Sequence, residues 1–99
     1  MTKVYYHATP FENLLSIVEK GILKSKYDGL VYLTEKPEEA ARFLAIRLCK
    51  EILVCKVEVE ESLVEETFDH NEAFFKCKAY GYRGDISPDE VTDYMKFTS

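Results

Sequence analysis

The segment His7-Ala8-Thr9 concentrates chemistry-bearing groups near the start of this 99-residue chain. An imidazole that can hold or release a proton near neutrality stands one residue from a hydroxyl, with a small residue between them whose backbone a ligand could approach. The segment ends a short β-rich run, Lys3 to His7, and leads into Thr9-Pro10-Phe11-Glu12, which reads as a helix start. A strand-to-helix turn exposes side chains and backbone amides together, so recognition by hydrogen bonds is the chemistry expected there. Other signatures are missing from the sequence. Gly21, Gly29, Gly81 and Gly84 match neither the G-x-G-x-x-G nor the Walker spacing, and there is no G-x-S-x-G elbow. Cys49, Cys55 and Cys77 include no Cys-x-x-Cys pair, and with only His7 and His70 besides, a zinc site has no cluster to build on. The cysteines read as reduced, mostly buried thiols, and His70, within Asp69-His70-Asn71-Glu72, as a loop residue.

The elements that must position His7 follow from hydrophobic periodicity and cap signals. Thr9 at an N-cap, Pro10 at the first helical position and Glu12 three residues after the cap form a capping-box signature, predicting a helix over about 10–20. Phe11, Leu14, Leu15, Ile17 and Val18 recur at helical spacing, and Gly21 can supply the left-handed residue that ends the helix. Leu30 to Thr34 reads as a second, largely buried strand, and Pro37 opens a second helix whose face carries Ala40, Ala41, Phe43, Leu44 and Leu48. Ile52 to Glu60 alternates Leu53, Cys55, Val57 and Val59 against Lys56, Glu58 and Glu60, the pattern of a half-exposed strand. The acidic stretch Glu60 to Glu72 reads as a loop, and Ala73 to Tyr82 as a strand with Phe75, Cys77 and Ala79 sharing a face. Ser87-Pro88-Asp89-Glu90 repeats the cap, proline and glutamate pattern and predicts a short terminal turn. The order β-α-β-α-β-β describes an α+β domain spanning 1–99, with antiparallel neighbours expected.

Composition narrows the partners. Eighteen Asp and Glu against 13 Lys and Arg give a net charge of -5, which repels a phosphate backbone and argues against duplex DNA. No apolar run approaches the roughly 20 residues that span a bilayer, and the first residues lack the apolar stretch of a secretory signal, so a cytoplasmic protein is expected. The acidic run Glu58 to Glu61, with Glu65 and Glu66, reads as a solubilising face whose functional alternative is docking to a basic surface.

The pattern YHAT…ENLLSIVEKGI…GLVYLTEKPEEAARF resembles the core of the ADP-ribosyltransferase fold, as found in the poly-ADP-ribose polymerases and the RNA 2′-phosphotransferases. The resemblance covers residues 5–46 well and 72–97 loosely. It implies split antiparallel β-sheets flanked by two helices, with NAD+ as substrate and no metal. By resemblance, His7 would hold the adenine-side ribose, the backbone of Ala8 would bind the nicotinamide amide and the Thr9 hydroxyl could assist it. Ala8 stands where the family has glycine, and Thr9 could equally cap the first helix. Tyr32 resembles the family tyrosine that covers one face of the nicotinamide, and Phe43, eleven positions later, the aromatic on its other face. Aromatic faces suit a flat cationic ring through area and cation–π attraction. The same two residues also fit ordinary core positions.

At the position of the family's catalytic glutamate the resemblance places Tyr80, giving a His7, Tyr32, Tyr80 triad, with Glu72 the alternative carboxylate. This departure resembles family members that transfer a single ADP-ribose, a neutral phenol stabilising developing positive charge less than a carboxylate, and by that resemblance the acceptor would be a macromolecule, a protein in the first instance. Two other readings stand beside this one: an inactive interaction or inhibitor module on the same fold, and an RNA 2′-phosphotransferase-like enzyme. The latter needs several arginines for phosphate, and the chain has only Arg42, Arg47 and Arg83.

Overall fold

Nine residues, Thr2–Pro10, form the first strand, β1, which is longer than the Lys3 to His7 run suggests. A computed structural model describes residues 1–24, 26, 29–45, 50–67 and 79–98. β1 runs antiparallel to β3 (Glu51–Glu60) along its whole length, from Thr2 opposite Glu60 to Pro10 opposite Ile52. This ladder takes Thr9 into the strand, so the predicted capping box does not form. Pro10 starts a 3-10 turn, Phe11–Asn13, that has no side-chain cap, and the first α-helix, α1, spans Leu14–Lys20. The Thr9 hydroxyl instead accepts a 2.8 Å hydrogen bond from the Asn13 side chain. Gly21 ends α1 as expected, at φ 81°, its N–H donating to the Ile17 carbonyl.

β2 (Leu30–Leu33) and α2 (Pro37–Ala45) start where periodicity puts them; β2 ends one residue before Thr34, and Leu48 and the side chains of Phe43 and Leu44 lie outside the described residues. Ala40 and Ala41 are buried, and their small side chains let α2 lie close on β1 and β3. That helix changes the exposure of β3. Ile52 and Val54, on the face opposite Leu53 and Cys55, are buried beneath α2, so the N-terminal half of the strand is covered on both faces instead of one. Cys55 is buried and free, its thiol pushed up to about 12 by desolvation. Cys49 and Cys77 lie outside the described residues.

The acidic stretch read as a loop holds a 3-10 turn, Glu61–Leu63, and a strand, β4 (Val64–Thr67). Pairing with β5 (Ala79–Arg83) creates β4, a short strand with too little apolar content to announce itself; Glu65 also holds Arg83 at 3.0 Å. Residues 73–78 of the predicted strand, with His70 and Glu72, lie outside the described residues. The second capping box forms in full: Ser87 Oγ accepts from the Asp89 N–H, and Glu90 Oε1 accepts from the Ser87 N–H, each at 3.2 Å. The chain does not stop at that turn. Val91–Thr98 makes an eight-residue strand, β6, whose mixed exposure hides the strand period; its partner is β3.

The protein is thus α+β, with two three-stranded antiparallel sheets among the described residues, ordered β1-β3-β6 and β2-β5-β4, and two short helices. The larger core lies between the sheets, where Tyr5, Leu53, Cys55, Val57 and Val59 of one meet Val31, Leu33 and Tyr82 of the other. A smaller core joins α2 to the opposite face of the first sheet, with Tyr6, Ala8, Met95 and Phe97 at its margin. Among the described residues no helix is long and apolar enough to cross a membrane.

Candidate functional site

Among the described residues, a backbone pair at the centre of β1 stitches that strand to Thr34, the residue that follows β2. The Tyr6 N–H donates to the Thr34 carbonyl at 2.8 Å, and the Thr34 N–H to the Tyr6 carbonyl at 2.9 Å. Alternate residues of a strand turn their N–H and C=O groups to the same edge. The Ala8 N–H and C=O therefore point, like those of Tyr6, away from β3 and toward β2, and no backbone group among the described residues takes them. Two residues beyond the stitch on each strand, Ala8 and Tyr32 stand opposed across this opening.

His7 spans the opening. Its Nδ1 lies 2.8 Å from the Tyr32 carbonyl oxygen, and since a carbonyl only accepts, Nδ1 carries the proton. Burial holds the imidazole below its ordinary pKa, against the opposing effect of this same bond. In the neutral ring Nε2 is then an acceptor, suited to a hydroxyl donor.

Face parity sorts the remaining residues. Residues opposed across a ladder share a face, so Tyr6, Ala8, Thr34 and Tyr32 turn toward the α2 side, while Val31 and Leu33 turn into the core between the sheets. The Ala8 methyl thus packs at the margin of the α2 cluster, and the extra carbon relative to glycine does not occupy the open edge. Tyr32 has Gly81 as its cross-strand partner and remains 44% exposed, which excludes the ordinary core position that its place in an apolar strand allowed. Phe43 belongs to α2, the helix on that same side, but its side chain lies outside the described residues. Thr9 is half-buried on the His7 face; its oxygen serves Asn13, leaving its own proton to donate.

Tyr80 stands elsewhere. It opposes Leu33 and so lies on the other face of β2–β5 from Tyr32, packed against the core. Its hydroxyl donates to Glu35 Oε1 at 3.0 Å, and burial, together with that bond, pushes the phenol up to about 12. Lys3 Nζ reaches Glu35 Oε2 at 3.0 Å and lies 5.3 Å from the Tyr5 ring centre; the Tyr5 and Tyr80 rings are 5.4 Å apart. The structure therefore joins His7, Ala8 and Tyr32 in one place and sets Tyr80 in a separate cluster with Lys3, Tyr5 and Glu35. Sequence reasoning missed Glu35 because its partners are 32 and 45 residues away and Thr34-Glu35-Lys36-Pro37 reads locally as a helix lead-in. Among the described residues no group of three or more His, Cys, Asp or Glu could hold a metal ion.

No family model matches the chain, and comparison with curated proteins gives no match either.

Proposed function

We propose that this protein binds NAD+ where β1 and β2 part, and transfers ADP-ribose from it to a macromolecular acceptor with release of nicotinamide. The observation that carries the reading is the open backbone edge of Ala8 facing the exposed ring of Tyr32. A primary carboxamide offers one donor and one acceptor side by side, the complement of a strand residue's C=O and N–H. Nicotinamide docked on Ala8 would present its ring to Tyr32, with α2 on the same side. His7 Nε2 would accept from a hydroxyl of the adenine-side ribose, and the Thr9 hydroxyl would donate to the carboxamide oxygen.

In the transfer step an acceptor nucleophile bonds to C1′ of the nicotinamide ribose as the C1′–N bond breaks. The electron pair of that bond leaves with nicotinamide, neutralising the pyridinium, and the acceptor's proton passes to solvent. Positioning supplies most of such catalysis when the leaving group is already cationic.

A second reading is favoured by one observation. With Tyr80 turned to the face opposite Tyr32, no described side chain is fixed at the reacting ribose, which suits an interaction module that retains the fold without transfer. In that version Glu58 and Glu61, both exposed, and Glu60 would meet a basic partner. The RNA 2′-phosphotransferase reading gains less, since Arg83 is engaged by Glu65 and Arg47 lies outside the described residues.

Titration of the purified protein with NAD+, followed by calorimetry, tests the proposal. Saturable binding that is lost in Tyr32→Ala and in His7→Ala is expected. Absence of binding at millimolar NAD+ overturns it, and binding without ADP-ribose release to any acceptor selects the second reading.

A further inference from the structure

Glu35, two residues past the end of β2, joins Lys3 of β1 to Tyr80 of β5 through its side chain. It directly follows Thr34 of the Tyr6–Thr34 stitch, accepts from Lys3 Nζ of β1 at 3.0 Å and accepts from Tyr80 Oη of β5 at 3.0 Å. His7 and Tyr32 lie on the other side of that stitch, joined at 2.8 Å. The two attachments therefore straddle a single pair of backbone bonds, so that each acts on the angle between the strands at that pair. What fixes Glu35 on one side fixes the separation of Ala8 from Tyr32 on the other.

We infer that Glu35, held by Lys3 and Tyr80, is a positioning residue that sets the gap between the Ala8 backbone and the Tyr32 ring, and so the affinity for the nicotinamide half of the ligand. The inference rests on the NAD+ reading for its ligand, though not for its geometry. Three features support a role in position above one in stability. Both Lys3 and Glu35 are substantially exposed, at 39% and 44%, and exposed ion pairs add little to folding. One carboxylate takes both donors, one from each sheet, so its two oxygens fix an angle between strands and not merely a distance. The Tyr80 ring lies against Tyr5, and Gly81, next to Tyr80, is the cross-strand partner of Tyr32, so a shift at Glu35 passes along β5 directly to the ring.

The test compares NAD+ with ADP-ribose, which lacks the nicotinamide, in wild type, Glu35→Gln, Lys3→Met and Lys3→Arg. About a tenfold loss of NAD+ affinity in Glu35→Gln and Lys3→Met is expected, within the usual range of coupling between sites. ADP-ribose affinity should stay within about twofold of wild type, and Lys3→Arg, which keeps the ion pair, should restore NAD+ binding. Equal loss for both ligands, or no loss for either, overturns the inference. Nitrogen NMR of His7 supplies a readout that needs no ligand: in Glu35→Gln the bonded Nδ1–H signature should weaken toward a tautomer mixture. If wild type binds no NAD+, the functional reading fails by itself, and an unchanged His7 signature in Glu35→Gln then overturns the lever separately.

Discussion

His7 Nδ1 donates to the carbonyl of Tyr32 across the junction of two sheets, 25 residues away in the chain. This bond does for the parted strands what a backbone pair does one step earlier at Tyr6 and Thr34, and it leaves Nε2 to a ligand. The two ring nitrogens can be separated by substitution. Asparagine places its amide N–H where Nδ1 stood, whereas alanine removes both. His7→Asn should therefore keep most of the folding free energy and His7→Ala lose about 1 kcal/mol, as for one hydrogen bond, while both lose NAD+ binding. Urea denaturation and calorimetry on the two variants check this; retained binding in His7→Asn would remove Nε2 from the site.

Acid should destabilise the fold through the same residue. Desolvation holds the half-buried imidazole below its ordinary value of 6.5, so between that value and its lower folded value the unfolded chain binds a proton that the native state refuses. Stability is complete above 6.5 and is lost as pH falls beneath it. Melting temperature measured against pH should fall more steeply for wild type than for His7→Asn. Parallel curves would mean that the native imidazole titrates like a free one.

The Ala8 edge permits a sharper test of the backbone's part. Because the Ala8 N–H faces the opening and not the β3 ladder, proline at this position costs no sheet hydrogen bond, and His7 before it is already extended. Ala8→Pro should fold with a change of melting temperature of only a few degrees and fail to bind NAD+. Ala8→Gly keeps both backbone groups and should bind as wild type does. Binding retained in Ala8→Pro would take the carboxamide away from this edge.

Much of this arrangement was legible in the sequence, and what was not has a common cause. The strand opened at Leu30, the helix opened by Pro37, the Gly21 stop and the Ser87 capping box are set by contacts within a few residues, and each stands where local pattern puts it. The capping box at Thr9 has the same local signature and does not form, because pairing of Thr9 with Leu53 on β3 takes its backbone into a nine-residue ladder. β4 and β6 exist through partners: Val64 to Thr67 is too acidic and Val91 to Thr98 too irregular to show the strand period alone. In the site, His7 and Tyr32 were singled out by resemblance, and what the structure adds is the 2.8 Å bond that joins them. The Ala8 edge and Glu35 depend on which strand lies beside which, and no window of sequence contains that.

The stop at Gly21 makes the last prediction, and it concerns how α1 is joined to the rest. At φ 81° the backbone there is one that side chains disfavour, and Ile22 next to it exchanges both backbone bonds with Ile86, each at 2.8 Å. A Cβ added at Gly21 would sit 2.1 Å from the Ile86 carbonyl oxygen, far inside contact distance and against backbone that cannot step aside. Ile86 is fully buried within the core between the sheets, so relief would require moving that core or breaking the Ile22 pair. Gly21→Ala should accordingly destabilise by about 3 kcal/mol, strain and clash together, where an exposed helix-end substitution costs a few tenths. Urea denaturation measures the difference directly. A loss under about 1 kcal/mol would mean that the turn after α1 relaxes independently of Ile86, and that α1 is not fastened to the core at this point.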